Sequence, residues 1–219
     1  MSKAVATQDP QSTPVPELYH PPMDLDAADI ALPTIKIGQD MSVAVQEGPI
    51  NRGDIFTQLS ADDPDPQFLV KTGEPIRFHV LSLRKGKSVS VDGRLQTFGF
   101  NDPDAPDEAW TTYTYTVVLP DVDQDVPYKV LFTKTGRPAA QVINMALMRN
   151  AGKAAPWASA FTLSSAPATN KKGQKYFVPR VNGVEAKAAD VELAASMAQR
   201  LAPADDALPT RDAAAEPAI

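Results

Sequence analysis

Residues 76–100 read IRFHVLSLRKGKSVSVDGRLQTFGF. Apolar and polar side chains alternate along the stretch, and a period of two is the signature of strands whose two faces meet different surroundings. Gly86 inside RKGK and the Asp92–Gly93 pair are turn chemistry, so three strands joined by two hairpin turns are predicted. Downstream, TTYTYTVVLP (111–120) is a run of strand formers, and YKVLFTKTG (128–136) is a further strand ended by Gly136. Upstream, LPTIKIGQDMS places Ile35 and Ile37 in alternation, and GDIFTQL (53–59) follows as another strand.

Helical spacing begins only at RPAAQVINMALMRNAGK (137–153). There Val142, Met145, Ala146 and Met148/Arg149 recur on one side, Pro138 suits a first turn, and Gly152 marks the stop. WASAFTLSS (157–165) and KYFVPRV (175–181) return to strand character. EAKAADVELAASMAQRLA (185–202) carries Val191, Ala194, Ala198 and Leu201 on one stripe and is predicted as a C-terminal helix. Strands, a helix, two strands and a helix make an α+β fold, mainly β. Its natural closed form is an OB-like barrel with one internal helix and a C-terminal helix. Residues 1–23, rich in proline, are expected to be a disordered arm. Residues 24–201 form the folded domain, and 202–219 an acidic disordered tail, so both termini are flexible.

The chain has 219 residues and no cysteine, which removes disulfides, thiolate metal sites and cysteine nucleophiles. No apolar run reaches the roughly 18 residues of a membrane span. No signal-peptide core is visible, so a soluble protein of the cytoplasm is expected. The net charge of −6 hides a sharp division. Residues 128–187 hold ten bases and a single acid, Glu185, while the segments on either side are acidic. In this block the bases are interleaved with Tyr128, Phe132, Trp157, Phe161, Tyr176 and Phe177. Single-stranded nucleic acid needs that mixture: cations that track phosphates, and flat rings on which bases stack. NKKGQKYFVPR (170–180) concentrates it. In a strand Tyr176 and Phe177 point to opposite faces, so one can anchor the core while the other meets a ligand. The candidate contacts are Lys134, Arg137, Trp157, Lys171, Lys172, Lys175, Tyr176 and Arg180. Against this stands the ordinary role of such residues: Phe132 and Phe161 as core, Trp157 as a cap, and KKGQK as a solvated hairpin.

Catalytic and metal chemistry find little support. His20 sits in the arm, and His79 shares a strand face with Arg77 without a partner constellation. Asp121, Asp123 and Asp125 have calcium-loop spacing, but Val126 and Phe132 occupy the places of the required Gly and Glu, so a solvated turn is expected. Ser82–Lys85 matches S-x-x-K, but in a strand pattern and without S-D-N. KTG recurs at Lys71–Gly73 and Lys134–Gly136 as shared turn chemistry. No phosphate-cradling glycine loop is present. No enzyme and no cofactor are expected.

LPTIKIGQDMS with GDIF, PYKVLFTKTGRPAAQVIN and KKGQKYFVPRV resemble phage-encoded single-stranded DNA-binding proteins, those with an OB-like barrel and an acidic C-terminal tail. The resemblance implies sequence-independent coating of single strands in replication or recombination, inside the host cytoplasm. Apart from the resemblance, a flexible acidic tail such as 202–219 can compete with nucleic acid for the basic groove or recruit replication or recombination proteins, although the terminal aromatic common in recruiting tails is absent here. A homo-oligomer stays open, since the C-terminal helix can pack on its own domain or on a neighbour. The alternative is a virion structural or scaffold-type protein, in which the Pro-rich arm serves assembly.

Overall fold

A computed structural model of the chain describes residues 32–59, 65–91 and 94–201; the predicted arm, the tail and the Asp92–Gly93 turn lie outside the described residues. One sheet contains nine strands: β1 (Thr34–Ile37), β2 (Ile55–Gln58), β3 (Gln67–Val70), β4 (Ile76–Val91), β5 (Arg94–Gly99), β6 (Trp110–Leu119), β7 (Asp123–Phe132), β8 (Ala160–Thr169) and β9 (Lys175–Val184). Three α-helices accompany it among the described residues: α1 (Val43–Gln46), α2 (Arg137–Asn150) and α3 (Ala188–Leu201). The mainly β, α+β class is as the sequence predicts. β3 and α1 are additions that the sequence reading missed.

β4 runs unbroken for 16 residues through Gly86, which corrects the expectation of a turn there. Gly86 is opposed by Gly99 of β5 on one edge and Thr112 of β6 on the other. A Cβ at Gly86 would lie 2.8 Å from the Phe98 carbonyl oxygen. The glycine therefore serves a close approach of two backbones. A register shift between Val80 and Ser82 interrupts the β4–β6 ladder, and Leu81, alternating with Val80, lies on the face opposite the main core.

The sheet order is β3-β2-β1-β7-β6-β4-β8-β9, with β5 on the outer half of β4. All neighbouring pairs are antiparallel except β1–β7. One face packs Phe78, Val80, Tyr115, Val117, Val130 and Phe132 against Ala139, Ala140 and Ile143 of α2. Burying each large side chain of this kind contributes about 1.5–3 kcal/mol. Small residues let α2 sit close to the sheet, and Tyr115 fixes it by donating its hydroxyl hydrogen to Asn144 Oδ1 at 2.8 Å. Most of the predicted helical stripe stays outside: Val142, Met145 and Met148 are exposed, and Ala146 packs partly against this core. On the opposite face, Leu81 and Val118 meet Ala194 and Met197 of α3, with Trp157 beside them.

The sheet is not closed. Its path ends at β3 and β9, and no ladder joins β9 to β1 or β3 among the described residues. The chemistry of β9 explains why. Pro179 has no N–H to give a further strand. The Gln39 side chain occupies Phe177 instead, accepting from its N–H at 3.0 Å and donating to its carbonyl at 2.9 Å. The Ser165 hydroxyl also donates to the Gly53 carbonyl. Side chains thus bridge the gap between β9 and the β1–β2 region.

Candidate nucleic-acid interface

β1 and β7 are paired over only two registered positions, Thr34↔Lys129 and Ile35↔Val130. β1 continues to Ile37, while the chain beyond Phe132 enters a 3-10 turn at Lys134–Gly136. Where the two strands lose their pairing, a cavity of about 300 Å³ opens, lined by Ile37, Thr133, Thr135 and Gly136 among others. Phe177 and Pro179 of β9 line it as well.

The Phe177 ring is held from two directions. Gln39 fixes its backbone, as above. Gly53, at φ +84, lies against the ring so closely that a Cβ there would be 2.6 Å from a ring carbon. Gly53 is in turn set by Asp54, which is almost fully buried. One Asp54 oxygen accepts from the Asn51 N–H at 3.0 Å and its side-chain amide at 3.1 Å; the other accepts from the Thr72 N–H at 2.9 Å. Burial works to raise the Asp54 carboxyl, but the hydrogen bonds from Asn51 and Thr72 outweigh it and hold the group below the usual carboxylate value.

Two cations adjoin the lining residues in sequence. Lys134 lies in the turn beside the cavity and holds its Nζ 3.5 Å from the Trp110 ring centroid. Arg137 opens α2 and is exposed. Neither makes a salt bridge among the described residues. α2 starts with Gly136 at its N-cap, no side-chain cap and no acid in its first turn. The positive end of a helix dipole normally attracts acids and disfavours cations. Here two cations accumulate where the backbone is already positive, a local cost that an anionic ligand would relieve. The Trp110 indole N–H is shut from solvent and finds no acceptor among the described residues.

The predicted contacts do not all share one surface. Lys171 and Lys172 occupy the exposed β8–β9 turn, where Asn170 Oδ1 accepts from the N–H groups of Lys172 and Gln174 at 2.9 and 3.0 Å. Lys175 alternates onto the face of Phe177 and Pro179, whereas Tyr176 and Arg180 take the other face. Trp157 is remote from both; it packs with the α3 cluster, and its carbonyl accepts from His79 Nδ1 at 2.8 Å. Lys134 and Arg137 adjoin the lining residues Thr133, Thr135 and Gly136 in sequence, and Lys175 shares the strand face of Phe177. None of the three lines the cavity, whose lining cation is Lys36; Tyr176, Arg180 and Trp157 lie elsewhere. Three residues that sequence reasoning missed complete the site: Gln39, Gly53 and Trp110. Their signal was weak, because the function of each depends on a partner far along the chain.

A second cation–ring pair, Lys85 Nζ at 3.5 Å from the Phe100 centroid, lies on β4 and after β5. Half-buried Asp102 and the exposed acids Asp104, Asp107 and Glu108 separate it in sequence from Trp110. His79 is fully buried on the α3 face, with Arg77 of the same face paired to Asp190. Ser82 lies within β4 as its pattern predicts. The two KTG triplets differ: Gly73 has φ +83, while Gly136 has φ −84 and ends a 3-10 turn. At Asp121–Asp125 the side chains are exposed, and Asp123 Oδ1 accepts from the Asp125 N–H at 2.8 Å. No protein-family model, curated protein or solved structure matches this chain.

Proposed function

We propose that the protein binds single-stranded DNA without sequence preference and catalyses no reaction on it. The observation that carries this reading is the nearness in the chain of exposed cations to a cavity lined by a rigidly held ring: Lys134 and Arg137 at the acid-free start of α2, next to the lining residues Thr133, Thr135 and Gly136, and Lys175 on the same strand as Phe177. Cations would neutralise phosphates, and rings would receive bases whatever their identity. Lys171 and Lys172 on the β8–β9 turn would extend the charged path. In this reading the curled sheet, bridged by Gln39 rather than by a ladder, plays the part of the OB-like barrel. The acidic residues after Leu201 would compete with DNA for the cationic surface and contact replication or recombination proteins of a phage-type system.

The test is charge reversal at two places. Lys134→Glu with Arg137→Glu, and separately Lys171→Glu with Lys172→Glu and Lys175→Glu, should each weaken oligothymidine binding at least tenfold while circular dichroism stays unchanged. The log–log salt slope should fall by about 0.7 for each phosphate that the variant no longer neutralises. Folded variants that bind as the parent does would refute the site.

A further inference from the structure

We infer that the cavity between β1, β7 and β9 is a slot for one nucleobase of the bound strand, stacked against Phe177, with the adjoining phosphates at Lys134 and Arg137. The inference rests on the reading above and adds to it the ligand group and the ring that receives it. Three observations support it. First, the volume of about 300 Å³ is at the lower bound of small-ligand sites, a scale fit for one planar heterocycle. Second, its lining combines an aromatic ring and the apolar Ile37, Leu163 and Pro179 with the hydroxyl-bearing Thr133 and Thr135, so a base would find both a stacking surface and hydrogen-bond partners. Third, Phe177 is preorganised: Gln39 holds its backbone and Gly53 leaves room for the ring edge, so little rotamer freedom is lost on stacking.

Position along the chain links the slot to the charges. Thr133, Thr135 and Gly136 line the cavity, and Lys134 and Arg137 are interleaved with them in sequence. Lys134 and Arg137 do not line the cavity, and Lys134 Nζ rests on the Trp110 ring, so a strand whose base enters the slot would carry its sugar–phosphate past the turn to meet them. Tyr176, the ring that sequence reasoning chose, alternates to the other face of β9 and is not part of the slot.

The experiment uses the full chain and two probes: oligothymidine, and an abasic deoxyribose-phosphate oligomer of equal length. Loss of one stacked base costs about 1–3 kcal/mol, roughly 5- to 150-fold in affinity. The parent should prefer oligothymidine by at least that factor. Phe177→Leu should narrow the preference with little effect on the abasic probe, and Phe177→Tyr should restore it. A second readout avoids any question of folding in the variants. Oligothymidine carrying 5-iodouracil, irradiated on the unaltered protein, should crosslink to Phe177 in the tryptic fragment that follows Lys175. Crosslinking only to Trp110, Tyr176 or other rings, with binding intact, would overturn the slot and leave the single-strand reading standing. Absence of oligothymidine binding would overturn that reading and the slot together. Displacement of oligothymidine by thymidine monophosphate at equal nucleotide concentration would mark a free-nucleotide site and overturn the strand-borne assignment.

Discussion

Asp54 shows how one buried carboxylate can organise a surface it does not reach. It holds Asn51 and Thr72, and between them the chain turns at Gly53, against which Phe177 rests. Asp54→Asn would face N–H donors with an amide N–H and should lower stability by about 1–3 kcal/mol, read by urea unfolding at neutral pH. The sign of the pH effect follows from the direction of the shift. The folded carboxyl titrates below its unfolded value, so its stabilisation is complete above the unfolded pKa and is lost as pH falls through the folded one. The parent should therefore lose more stability than the variant on acidification through that window; equal losses would contradict the assignment. At Gly53 itself, φ +84 disfavours any side chain by about 1–2 kcal/mol, and the Phe177 ring leaves no room for one. Gly53→Ala should lower stability and shift the aromatic proton resonances of Phe177, which an unperturbed ring would not show.

Among the elements, β4 is the most instructive. Its alternation was legible, and so were β6, β7, β8, β9, α2 and α3, because each buries one face at a regular period. The role of Gly86 was not legible: a glycine between lysines looks the same whether it turns the chain or admits a neighbouring backbone. Gly86→Val should keep β4 extended but push β5 away, with a destabilisation of about 1–3 kcal/mol and faster amide exchange in Arg94–Gly99. Exchange unchanged in β5 would show that the close approach has no energetic weight. α2 gave the opposite lesson. Its helical period was evident, but the buried side is the one carrying Ala139, Ala140 and Ile143, since close packing on the sheet favours small residues over the methionines.

At the scale of the molecule, the charge block at 128–187 pointed to a region without resolving its geometry. Strand alternation divides Lys175 from Tyr176, and the hairpin sends Lys171 and Lys172 to a tip, so neighbours in sequence serve different surfaces. Closure was also beyond the sequence, because the gap is bridged by Gln39, 138 residues from Phe177. What the fold contributes to the proposed function is a cavity lined by Phe177, Thr133, Thr135 and Gly136, with the acid-free start of α2 following directly after Gly136. The most direct measurement is fluorescence-anisotropy titration of labelled oligothymidine at two salt concentrations, with duplex of equal length as competitor. Tight binding that weakens with salt and resists the duplex is the predicted result. No binding, both with the full chain and after removal of residues 202–219, would contradict it.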